Sequence, residues 1–109
     1  MVSDEEIDKT LDWLRDSATK AAQARATRVY MEEYRKTLKA TLMGENKDKP
    51  IGAQEREAYS DQRYIDHLAA IRAAVEADEK MRWLYVAAQA KIDAWRSFQA
   101  NYRITGKIG

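Results

Sequence analysis

Chemistry in a protein needs side chains that share protons, ligate a metal or attack a substrate, and this sequence is poor in all three. It has one histidine, His67, and no cysteine. A catalytic or metal-binding imidazole needs partners, and His67 has no second imidazole or thiol near it in the pattern. The carboxylate pairs Glu32–Glu33 and Asp78–Glu79 are adjacent in sequence, so on a helix they point in different directions and make no shared acid/base site. The stretch "ATLMGENKDKP" has a single glycine and none of the spacing of a phosphate-cradling loop. The pattern predicts a protein that is not an enzyme, with no catalytic residue, no metal and no cofactor.

What remains is cationic. Residues 24–43, "ARATRVYMEEYRKTLKATLM", carry Arg25, Arg28, Arg35, Lys36 and Lys39 with Tyr30 and Tyr34 between them. The net charge of the chain is only +1, but the charge is zoned. Residues 1–16 hold two basic and six acidic groups, 17–49 eight and four, 50–79 three and seven, and 80–109 six and one. Zoning of this kind serves either internal pairing or an external partner. Lys36, Lys39, Lys47 and Lys49 concentrate near the only strong break in the chain, opposed there by Glu45 and Asp48. Cations interleaved with aromatic rings suit a sequence-independent hold on single-stranded nucleic acid.

The elements that position these residues are helices. Ser3 followed by Glu6 is a capping-box pattern, and Asp4, Glu5 and Glu6 place negative charge at a helix N-terminus. Apolar positions then run Ile7, Leu11, Leu14, Ala18, Ala21, Ala22, Tyr30, Tyr34, Leu38 and Leu42, predicting a helix over about 4–43. "GENKDKPIG" at 44–52 predicts a loop, and "AQEREAY" after it is long enough for a short helix over 53–59. Ser60 and Asp61 supply the next cap, and Tyr64, Leu68, Ile71, Val75, Met81, Tyr85, Ala88, Ile92, Trp95 and Tyr102 predict a second long helix over 61–103. The apolar phase slips around Asp78, which predicts a local bend, and the two glycines of "ITGKIG" predict a frayed tail at 104–109.

The expected fold is therefore all-α: a single domain of 109 residues, built as a long antiparallel helical hairpin. In such a hairpin Arg25 and Arg28 fall opposite the acidic zone that contains Asp66, Glu76, Asp78 and Glu79, and the acidic start of the chain falls beside its basic end. "MRWLYVAAQAKIDAW" is apolar on more than one face, more than one seam hides. Trp83, Tyr85, Ile92 and Trp95 are thus the expected anchors of a homo-oligomer interface. The acidic start lacks an apolar leader and no run approaches a membrane span, so a soluble, intracellular protein with no membrane partner is expected.

The order of these features resembles the T4-type phage recombination mediators, the UvsY-like family. The residues that carry the likeness lie within about 30–104: "YRKTLKATL", a polar loop, "EREAYSDQRYI", and "RWLYVAAQAKIDAWRSFQANYRI". The resemblance implies a small helical protein that assembles into a ring in the cytoplasm of a bacterial host. It also implies binding of single-stranded DNA and help in loading a RecA-like recombinase onto strands coated by single-strand-binding protein. In that family a lysine and an arginine two residues later, just before the loop, serve DNA binding. Lys39 matches the first position, but Thr41 occupies the second, which shifts the expected contact to Lys36, Lys47 and Lys49, with Arg35 beside them. The competing reading is a non-enzymatic helical adaptor, a small phage protein that binds a host protein complex.

Overall fold

Helices in this chain start and stop where backbone groups find other partners. At the N-terminus the Glu6 N–H donates to Ser3 Oγ at 3.1 Å, and α1 runs from Asp4 to Gly44 without an internal glycine or proline. It ends in a run of turns in which the N–H groups of Glu45 and Asn46 return to the carbonyls of Leu42 and Met43 at 3.2 and 3.0 Å. Pro50, whose φ of −57° suits a helix entrance, precedes α2, Ile51–Ser60. Asp61 then breaks the helix with an extended ψ of 134°, and its Oδ1 accepts the Arg63 N–H at 2.8 Å to cap α3, Gln62–Ile108. This computed structural model describes residues 2–108, with side chains as far as Gly106.

The described residues are all-helical, with two long helices, one short helix and no strand. Three boundaries differ from expectation. The short helix starts at Ile51 and takes in Gly52, because Pro50 supplies the entrance and Gln54 bonds back to the carbonyls of Pro50 and Lys49. Asp61, not Ser60, is the cap of α3, since the Ser60 hydroxyl turns back onto the carbonyls of Arg56 and Glu57. The expected frayed tail is helical as far as Ile108: Gly106 costs a helix only about 1 kcal/mol, and Thr105 Oγ1 bonds the Asn101 carbonyl one turn back.

The chain packs as two compact units. A terminal unit comprises Met1–Ala21 and Lys80–Gly109, and a turn unit comprises Ala22–Glu79. Within the turn unit, α1 and α3 run antiparallel: Arg28 meets Asp78, Met31 meets His67, and Glu45 meets Arg63. Leu42, Ala58 and Tyr64 form its core, one residue from each helix, with Leu38 and Met43 packed against them. Leu42 is 1% exposed, and its burial contributes about 1.5–3 kcal/mol. Within the terminal unit the segments are likewise antiparallel, Asp4 meeting Trp95 and Trp13 meeting Tyr85. The seam there is thin, made of Ile7, Thr10, Ser17, Met81 and Ala88.

The seam differs from the apolar stripe read off the sequence. Leu11, Tyr30 and Tyr34 are exposed, whereas Thr10, Ser17 and Arg28 take inward positions. Along α1 the inward residues Ile7, Thr10, Leu14, Ser17 and Ala21, and then Ala24, Arg28 and Met31, keep steps of three and four. In α3 of the turn unit the same steps run Tyr64, His67, Ile71, Ala74, Asp78. Asp78 occupies a seam position of the turn unit itself, so counting only apolar residues skips it. The inward polar atoms are satisfied. Thr10 Oγ1 donates to the Glu6 carbonyl at 2.8 Å, and no buried side-chain polar atom among the described residues lacks a partner.

Candidate functional site

His67 is accounted for by structure. Its Nε2–H donates to the Met31 carbonyl at 2.7 Å, and its ring meets Tyr34 edge-on at 5.4 Å. Among the described residues no group of three or more His, Cys, Asp or Glu side chains gathers as a metal site, and no helix is long and apolar enough to cross a membrane.

The cations of the opening stretch divide into two kinds. Arg28 lies in the turn unit's seam, where its guanidinium contacts Glu32 at 3.0 Å, Asp78 at 3.2 Å and Glu79 at 3.1 Å. Those hydrogen bonds, Glu32 first, hold Arg28 well above the ordinary arginine range. Arg25, expected to share this role, is exposed and makes no ion pair among the described residues. It is three residues from Arg28, yet lies on the solvent side of the seam. Of the expected acidic partners only Asp78 and Glu79 reach Arg28; Glu76 pairs with Arg72 and Asp66 accepts from Gln62, each within α3.

The cations at the turn are held more loosely. Lys36 Nζ is 3.5 Å from Glu33 one turn back on the same helix, with both side chains mostly exposed. Lys39 lies 3.4 Å from Glu55 and 4.7 Å from the centre of the Tyr59 ring; Tyr59, and then Glu55, raise its pKa. Lys49 is 3.5 Å from Glu57. Arg35 and Lys47 make no ion pair among the described residues. Two of these lysines thus share charge with α2, a pairing that the spacing along α1 could not reveal. The tyrosines form a separate feature: Tyr30 and Tyr34 stack at 6.0 Å and are 66% and 40% exposed. Tyr34 and Lys36, two residues apart, project in nearly opposite directions, so the stripe is not one surface.

A tighter joint closes the turn. Arg63 Nη2 contacts Glu45 at 2.6 Å and Asp61 at 2.9 Å, tying the start of α3 to the end of α1. The Arg63 guanidinium holds both carboxyls below their usual range.

In the terminal unit the four expected interface residues part company. Trp83 is 64% exposed, whereas Tyr85 packs against Trp13 with ring centres 5.8 Å apart. Ile92 and Trp95 are half-buried, and Trp95 Nε1 donates to Asp4 Oδ1 at 2.8 Å. Leu84 and Val86 are also exposed, on nearly opposite sides of the helix, with Val86 nearer to the direction of Trp83. Leu84 lines a groove of about 350 Å³ together with Lys9, Thr10 and Trp13 of α1 and Ala88 and Lys91 of α3. The expected charge pairing of the chain's two ends is not what holds this unit. Glu5 pairs with Lys9, and Asp12 and Asp16 pair with Arg15, all within α1.

The site residues and the fold together define an all-helical protein whose cations and apolar residues lie largely on open surfaces. Comparison with protein-family models, with curated proteins and with solved structures finds no match to this chain.

Proposed function

We propose that the protein is a non-enzymatic, single-stranded-DNA-binding accessory of phage-type recombination. It acts as a homo-oligomer and assists the loading of a RecA-like recombinase or an annealing protein, with single-strand-binding protein as a further partner. The observation that carries this reading is the contrast in how the cations are held. Arg28 and Arg63 make contacts of 2.6–3.2 Å within the turn unit. Lys36, Lys39 and Lys49 make pairs of 3.4–3.5 Å, and Arg35 and Lys47 make none among the described residues. The exposed pairs of Lys36 and Lys49 are worth about 0–1 kcal/mol, so phosphates displace their carboxylates at little cost, whereas Lys39 is as shielded as Arg28 and gives up its partners less readily. Neutralising strand phosphates also releases counterions, which supplies the driving force for sequence-independent binding.

The exposed apolar side chains Trp83 and Val86, with Leu84 on another face of the helix, support self-association, which multiplies a modest cationic patch by the number of subunits. The same surface favours the adaptor reading as the alternative, with a host protein in place of a second copy. Fluorescence anisotropy of an oligothymidylate at two salt concentrations tests the reading. Binding should weaken steeply with salt, and replacing Lys36, Lys39, Lys47 and Lys49 with Ala should flatten that dependence by up to about 0.7 of a slope unit for each phosphate no longer neutralised. Absence of binding at low salt would overturn the DNA reading in favour of the adaptor. Light scattering on the same samples reads the assembly, and a monomer at tens of micromolar would remove the oligomer from the proposal.

A further inference from the structure

A second basic stretch lies at the end of α3, in the terminal unit. From Lys91 to Gly106 it carries Lys91, Arg96 and Arg103 against Asp93 alone. Asp93 accepts a hydrogen bond from the Gln89 amide at 3.1 Å, and none of the three cations makes an ion pair among the described residues. The acidic start of α1, which charge complementarity alone would set against them, keeps its ion pairs within α1. Arg96, Gln99 and Arg103 follow each other at steps of three and four, so they share one helix face, and with Trp95 they line one open groove. The backbone positions of Arg96 and Arg103 are about 10 Å apart along the axis, at 1.5 Å per residue.

Trp95 gives this groove a fixed wall. Its indole N–H is taken by Asp4, which orients the half-buried ring and leaves part of it at the groove. Phe98 and Tyr102 on the same helical segment are 40% and 68% exposed. Neither ring lines the groove, so Trp95 is its aromatic member. Unpaired arginines beside a partly open ring are a combination that tracks a phosphate backbone and stacks an unpaired base, with the guanidinium fork suited to two phosphate oxygens at once. Two such faces from two copies would repel each other, which argues against the groove as a symmetric subunit contact.

We propose that Arg96, Gln99 and Arg103, with Trp95 as a stacking platform, form a second phosphate-tracking site for single-stranded nucleic acid, separate from the lysines of the turn. The proposal rests on the single-strand-binding reading above and moves part of the contact to the terminal unit. Its test is the salt dependence of oligothymidylate binding by the full chain, for the unmodified protein, Arg96→Gln/Arg103→Gln and Arg96→Lys/Arg103→Lys. Circular dichroism and light scattering run alongside. The Gln pair should lower the salt slope by up to about 1.4, at about 0.7 for each of two phosphates, with helicity and mass unchanged. The Lys pair should restore most of the slope. An unmodified protein that binds while the Gln pair keeps its slope would overturn this site and leave the reading above intact. A Gln pair that loses mass as well as binding would assign the arginines to the acidic start of a second copy and overturn the site. An unmodified protein that does not bind would overturn both.

Discussion

The two units use similar residues in opposite ways. In the turn unit charge crosses from helix to helix: Arg28 reaches Asp78 and Glu79, Lys39 and Lys49 reach Glu55 and Glu57, and Arg63 reaches Glu45. In the terminal unit the ion pairs of α1 are local, one turn or less apart, and the contact between helices is made by Trp95 with Asp4 and Tyr85 with Trp13. The difference separates two roles for charge. A half-buried polar residue at a seam position specifies which partner and which register a helix accepts, at some cost in stability. Charge left unpaired on the surface contributes little to the fold and stays available to a ligand.

The sharpest way to break the comparison is to remove the core of one unit. Leu42→Ala empties the point where α1, α2 and α3 of the turn unit meet, and should cost about 2–5 kcal/mol in urea unfolding. Thr10→Ala in the terminal unit should cost much less, since its hydroxyl bonds only its own helix, to the Glu6 carbonyl. Equal losses would show that the two seams carry equal weight.

A smaller effect is expected from the seam arginine. Arg28→Ala leaves Glu32, Asp78 and Glu79 facing one another without the guanidinium that neutralises them. It should lower the melting temperature by less than Leu42→Ala does, and the loss should shrink when Asp78→Asn is added. Arg25→Ala, three residues away and exposed, should leave the melting temperature where it was. A double-mutant cycle on Arg28 and Asp78 measures the coupling directly. Additive losses would remove the register role assigned to this pair.

How much of this was legible in the sequence depended on where the information lay. Ser3 announced α1 and the Gly44–Pro50 segment announced its end, because caps and breakers act through neighbours in the chain. The seam was misread at Leu11, Tyr30 and Tyr34 because periodicity counts apolar residues, whereas a seam also accepts a Thr that bonds its own helix or an Arg that finds two carboxylates across it. Counting Asp78 as polar hid the seam position that it takes in the turn unit. Lys39 and Lys49 could be seen as cations, but not that α2 would bring Glu55 and Glu57 to them, since that depends on where a short helix packs. Arg96 and Arg103 were visible only as part of a basic zone, and their openness follows from α1 keeping its own ion pairs local.

The smallest expected effect sharpens the comparison at the joint that closes the turn. Hydrogen bonds from Arg63 lower the pKa of both Glu45 and Asp61 in the folded protein. A carboxylate whose folded pKa lies below its unfolded value stabilises the fold at every pH above the unfolded value, and that contribution disappears as the pH falls through the depressed folded value. Neutral samples should therefore keep the joint intact, and acidification below about pH 4, the ordinary carboxylate value, should weaken it. The joint is open to solvent, so the change is modest, and it belongs to the turn unit. Arg63→Gln should lower the melting temperature slightly at neutral pH and flatten its fall on acidification, because the two carboxyls then titrate near their ordinary values. Lys9→Gln, which breaks an exposed pair with Glu5 within α1, should leave the acid limb of the melting curve unchanged. If the two variants flatten that limb equally, the acid sensitivity belongs to carboxylates in general and not to the cross-helix charge that distinguishes the turn unit.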